Sequence, residues 1–103
     1  MRVVWSARAV GHLEHLRARI ARDRPDAAAQ VAATILGTVE LLAEHPGLGR
    51  PGRVPGTREL VVPGTPYLIP YRARGDRLEI LAVFHGRRRW PDRLSRPSGR
   101  SFR

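Results

Sequence analysis

The stretch YLIPYRARGDRLEILAVFH (residues 67–85) decides the fold. Tyr67–Arg74 reads as one strand and Arg77–His85 as the next, with Gly75-Asp76 between them as a two-residue hairpin turn. Pro70 lies inside the first strand and has no N–H for a ladder, so a bulge or an unpaired stretch is expected there. In the second strand Leu78, Ile80, Ala82 and Phe84 fall on one face, and Glu79, Leu81, Val83 and His85 on the other. Both faces are then largely apolar. A pair of helices can cover only one of them, so the other face calls for a binding partner, or for the chain's own tail or loop folded across it.

Upstream, Arg58–Val62 is a further strand, closed by Pro63-Gly64. It follows PGLGRPGRVPG (residues 46–56), a loop by composition that carries Arg50 and Arg53. Before the loop come two helical patterns. Val10, Leu13, Leu16 and Ile20 predict a helix over 6–22, with Ser6 as N-cap and Trp5 and Val10 spaced as a hydrophobic staple. Ala28, Ala32, Ile35, Val39 and Leu42 predict a second helix over 25–44, opened by Pro25 and ended by His45-Pro46-Gly47. Arg2–Trp5 is a short first strand. The order βααβββ is that of an α+β domain, a helical hairpin packed on a small, mainly antiparallel sheet. Residues 1–91 form this domain, and 92–103 form a polar, basic and flexible tail.

Composition narrows the chemistry. The 103 residues suffice for one small domain. There is no cysteine, which excludes disulfides, thiolate catalysis and Cys-ligated zinc. His12 and His15 stand one helical turn apart, but no third ligand completes a metal site; they read as solvated helix face, and neither metal nor cofactor is expected. The N-terminus lacks the apolar core of a secretory signal, and no apolar run approaches a membrane span, so the chain reads as soluble and cytoplasmic. The net charge is +10, and all 19 basic residues are arginine. Arginine favours bidentate contact with phosphate or carboxylate, so a nucleic acid, the ribosome or an acidic protein fits as partner.

The ordered set Pro25-Asp26-Ala27-Ala28, His45-Pro46, Gly49-Arg50-Pro51-Gly52, Gly56-Thr57-Arg58-Glu59-Leu60, Pro66-Tyr67, Tyr71-Arg72 and His85-Gly86-Arg87, ending on Trp90-Pro91, resembles toxins of the ParE and RelE superfamily, and ParE-like members most. The resemblance spans residues 2–91. It implies the toxin of a type II toxin–antitoxin pair, whose antitoxin binds the toxin through a flexible, commonly acidic C-terminal segment. Tyr67, Tyr71, Leu81 and Val83 are the expected antitoxin contacts. No DNA-reading motif is present, so DNA is expected only through the antitoxin.

Two activities occur in the superfamily. ParE-like members inhibit DNA gyrase; RelE-like members cut mRNA on the ribosome. The nuclease needs a proton carrier beside cations that hold the phosphate. The cations are plentiful, with Arg53, Arg58, Arg88 and Arg89 as candidates for target or phosphate binding. The tail holds no tyrosine, which leaves His85 with Arg87 as the catalytic candidates of the RelE-like alternative. A gyrase inhibitor needs neither. A third possibility is a detoxified co-regulator that binds DNA together with its antitoxin. The gyrase reading leads.

Overall fold

The computed structural model describes residues 1–86. The central hairpin joins β4 (Tyr67–Arg74) to β5 (Arg77–Ile80) in the expected register, with Arg74 opposite Arg77 across the turn and Gly75 at φ +58°. β3 (Arg58–Val61) pairs antiparallel with β4. Between them Pro63 and Gly64 form a tight turn closed by Thr65 N–H donating to the Val62 carbonyl, and Gly64 supplies the positive φ (+75°) that the third position of such a turn requires. β1 (Arg2–Trp5) lies parallel to β5 on the opposite flank. The loop expected at 46–56 contains one further short strand, β2 (Arg50–Pro51), on the edge of β3. The sheet runs β1-β5-β4-β3-β2.

The last strand departs from expectation. It does not continue to His85. β5 stops at Ile80, and a separate pair, β6 (Phe84–His85), returns to β4 opposite Tyr67 and Leu68. Between these two ladders, Ile69 and Pro70 of β4 face three residues, Leu81, Ala82 and Val83. One extra residue on one strand is a β-bulge. It sits opposite Pro70, whose carbonyl still accepts Leu81 N–H at 2.9 Å. The extra residue reverses the facing of everything after it. Leu78 and Ile80 point into the main core beneath the helices and Val83 joins them, whereas Ala82 and Phe84 turn to the other side and cluster with Leu68. The uniform alternation of Leu78, Ile80, Ala82 and Phe84 on one face is therefore corrected.

Helix α1 (Ala7–Asp23) begins at Ser6, whose Oγ accepts Ala9 N–H at 2.9 Å and donates to the Leu81 carbonyl at 3.1 Å. The cap that starts the helix also holds the bulge. A second link comes from His12, read from sequence as solvated; its Nδ1 accepts Val83 N–H at 3.2 Å. Helix α2 (Pro25–Glu44) has Pro25 in its first turn and buries Ala28, Ile35, Thr38, Val39 and Leu42. By length and composition α2 could cross a membrane, contrary to the sequence reading. In this fold its apolar side is the upper half of the core, and core helices share that composition. Ile35, Val39 and Leu42 pack with Val62, Ile69, Tyr71, Leu78 and Ile80 into one helix-on-sheet layer.

Strand register also defines the face of the sheet turned away from the helices, because residues directly opposite one another share a face. It carries Arg2 and Val4 of β1, Arg77 and Glu79 of β5, Arg72 and Arg74 of β4, and Glu59 of β3. This face is mostly charged. The broad apolar surface expected there is confined to the buried trio Leu68, Ala82 and Phe84, with Val4 and Val61 exposed beside it.

Candidate functional site

The loop between α2 and β3 is built around two side chains from the sheet. The Tyr71 ring is fully buried, and its hydroxyl donates to the Pro46 carbonyl at 2.7 Å while accepting Gly49 N–H at 2.8 Å. Gly49 has to be glycine for a steric reason. A Cβ there would lie 2.7 Å from the Tyr71 hydroxyl and 2.8 Å from the Glu59 carbonyl oxygen, closer than packed atoms allow. Glu59 is the second anchor. It is 2% exposed, yet its carboxylate accepts Arg53 N–H at 3.2 Å and meets the Arg50 and Arg53 guanidinium groups at 3.3 and 3.8 Å. A buried carboxylate is costly unless paired, and the loop supplies the pairing.

Arg58 turns to the other side of the loop and donates to the Gly49 carbonyl at 2.7 Å. Arg50, Arg53 and Arg58 are thus held in place by contacts within the domain while remaining exposed. They form a fixed cationic rim suited to an anionic partner. Sequence reasoning chose Arg53 and Arg58 but missed Glu59. Its only signal was a single acid among the arginines of this stretch, on a strand where alternation turns it away from the helices.

The expected antitoxin contacts lie elsewhere than on an open surface. Tyr67, Tyr71 and Val83 belong to the main core at 7%, 0% and 2% exposure, and Leu81 is half-buried at the bulge. The bulge explains Val83, and the hydroxyl anchor explains Tyr71. His85 stands edge-on to Tyr67, ring centroids 5.9 Å apart and planes at 75°. Arg87, Arg88, Arg89 and the 92–103 tail lie outside the described residues, and the expected pairing of His85 with Arg87 lies outside them too. No group of three metal-ligating side chains occurs among the described residues.

The helical hairpin also carries exposed apolar surface. Trp5, Val10, Leu13, Ala32 and Leu36 line an open groove of about 510 Å³, with Glu14 and Arg17 at its border. Val10 and Leu36 are 41% and 46% exposed. The staple pair Trp5 and Val10 opens this groove, so the motif that starts α1 also shapes a surface.

Comparison with known proteins places these features in a family. Residues 3–90 match the model for the ParE toxin of the type II toxin–antitoxin system parDE. The chain is 50% identical over 93 residues to a Sinorhizobium fredii protein named "Putative toxin Y4kP", covering 90% of this chain and 96% of that one. It also superposes, with a TM-score of 0.75 and 27% identity, on a chain from the chromosomal ParDE toxin–antitoxin system of P. aeruginosa, covering 82% of this chain and 95% of that one.

Proposed function

The chain belongs to the ParE toxin family of type II toxin–antitoxin systems, a family that implies an antitoxin partner, and from this premise we propose that it arrests growth by inhibiting DNA gyrase until that antitoxin neutralises it. On this reading it is an inhibitory ligand rather than an enzyme, and it acts in the cytoplasm.

The observation that carries the choice of gyrase over mRNA cleavage is the disposition of the proton carriers. Among the described residues, the tyrosines near the arginines are enclosed. Tyr71 has its hydroxyl engaged by Pro46 and Gly49, and Tyr67 is in the core. Glu59 and Glu79 each hold two arginines. His85 packs on Tyr67. General acid–base cleavage of RNA needs a carrier within hydrogen-bond reach of the phosphate that the cations would hold. Among the described residues, the rim of Arg50, Arg53 and Arg58 supplies charge while the neighbouring Tyr71 hydroxyl and Glu59 carboxylate are already engaged, which suits binding better than proton transfer.

We assign antitoxin contact to the groove of Trp5, Val10, Leu13, Ala32 and Leu36. Its shape and exposed apolar lining suit the apolar side of an amphipathic segment.

Induction of the chain alone in a bacterium, with DNA and protein synthesis followed by pulse labelling, tests the choice of target. DNA synthesis is expected to fall first, and H85A to remain toxic. Earlier loss of translation, abolished by H85A, would establish the nuclease reading instead.

A further inference from the structure

The register of the sheet sets three arginines side by side on the face turned away from the helices. Arg2 of β1 lies directly opposite Arg77 of β5, and Arg77 directly opposite Arg74 of β4. Like charges placed opposite one another across strands destabilise a sheet. Nearby compensation is thin. Glu79, in the adjacent row, accepts Arg72 through Oε1 at 2.8 Å and meets Arg77 through Oε2 at 3.2 Å. Arg2 and Arg74 are exposed and make no ion pair with any described residue. The hairpin acid Asp76 makes none either. Four guanidinium groups therefore stand against two carboxylates, Glu79 and Asp76, a local charge of about two positive units (four minus two) that the ion pairs among the described residues leave uncompensated.

We propose that this row, Arg2, Arg77 and Arg74, binds an acidic, partly apolar segment of a protein partner. Adjacent strands stand ~4.8 Å apart. Carboxylates one helical turn apart on an amphipathic helix have a similar spacing, ~5–6 Å, so such a helix crossing the strands meets successive arginines. Guanidinium and carboxylate then pair in the planar, bidentate way that distinguishes arginine from lysine. The surroundings favour peptide over nucleic acid. Val4, 37% exposed, is the cross-strand neighbour of Glu79 on the same face, and gives an apolar contact that a phosphate backbone has no group to use. The surface is separate from the loop rim of Arg50, Arg53 and Arg58 and from the groove on the helices. It extends the reading that the chain has a protein partner by adding a second contact region on the other side of the domain.

Binding of a labelled synthetic helical peptide, with glutamates one turn apart and leucines between them, tests the proposal. The full chain is titrated at near-physiological ionic strength, alongside R2A/R74A and R19A/R22A. The second double variant removes the same charge from exposed positions on α1. Both alter exposed side chains without ion pairs, and circular dichroism checks that each folds. The row variant is expected to weaken the peptide roughly tenfold and the helix variant by less than about twofold. Equal weakening by both, or none by either, overturns the proposal. A single-stranded oligonucleotide of the same charge is titrated in parallel. If it loses as much affinity as the peptide in R2A/R74A, the row is a general polyanion site and the assignment to a protein segment is wrong. The probes are synthetic, so failure of the gyrase reading leaves this result unchanged, and failure here leaves that reading standing.

Discussion

The hydroxyl of Tyr71, on β4, accepts the backbone N–H of Gly49 at 2.8 Å, and the same oxygen donates to the Pro46 carbonyl at 2.7 Å. One buried side-chain atom therefore fixes both ends of the Pro46–Gly49 turn against the sheet. The arginine rim depends on that turn, because Arg50 follows Gly49 directly and Arg58 is bonded to the Gly49 carbonyl.

Y71F keeps the ring and removes this oxygen. It leaves a buried N–H unsatisfied, at a cost of about 1–3 kcal/mol. Urea unfolding should show the loss as a lower midpoint at unchanged slope. Hydrogen exchange should place the largest loss of protection at the Gly49 amide. An unchanged midpoint with unchanged Gly49 protection would mean the hydroxyl does not anchor the loop.

Glu79 links stability to pH. Its pKa is lowered from the ordinary 4.5, first by the hydrogen bond from Arg72; burial opposes this, and the charges of Arg72, Arg74 and Arg77 lower it further. A carboxylate with a lower pKa in the folded state than in the unfolded state adds stability above the unfolded value. That contribution is lost as pH falls from about 4.5 through the lowered value. E79Q removes the titrating group, so the stability gap between the parent chain and E79Q should be widest above that window and close below it. Curves that stay parallel through the window would show that Glu79 is not coupled to folding.

Much of this architecture is legible in the sequence, and the remainder fails for definable reasons. The two helices, the Ser6 cap, the Gly75-Asp76 turn and the β4 limits follow from local periodicity and turn chemistry, which a linear reading captures. Pro70 signals a defect in pairing, but the extra residue falls on the facing strand, among Leu81, Ala82 and Val83, where no local feature marks it. That one residue turns Val83 inward and Phe84 outward, and the facing of the final residues is misread with it. The links from His12 to Val83 and from Tyr71 to Gly49 join residues 71 and 22 positions apart. The arginine row appears only once β1 is known to lie parallel to β5. Chemistry that depends on strand register has no signature along the chain.

The groove on the helical hairpin predicts a separation of neutralisation from toxicity. Leu36 is 46% exposed within it and outside the core, so L36E should leave folding nearly unchanged, within about 0.5 kcal/mol. Antitoxin supplied by co-expression should then fail to rescue growth, while L36E alone remains as toxic as the parent chain. Full rescue of L36E would place the antitoxin elsewhere.

The central claim is that this ParE-family chain acts on gyrase by binding and not on RNA by catalysis. The most direct test adds the purified chain to DNA gyrase with plasmid and ATP, and in parallel to translating ribosomes carrying a defined mRNA. The account predicts loss of supercoiling, with cleaved plasmid accumulating, and intact mRNA. Undisturbed supercoiling together with mRNA cut on the ribosome would contradict it.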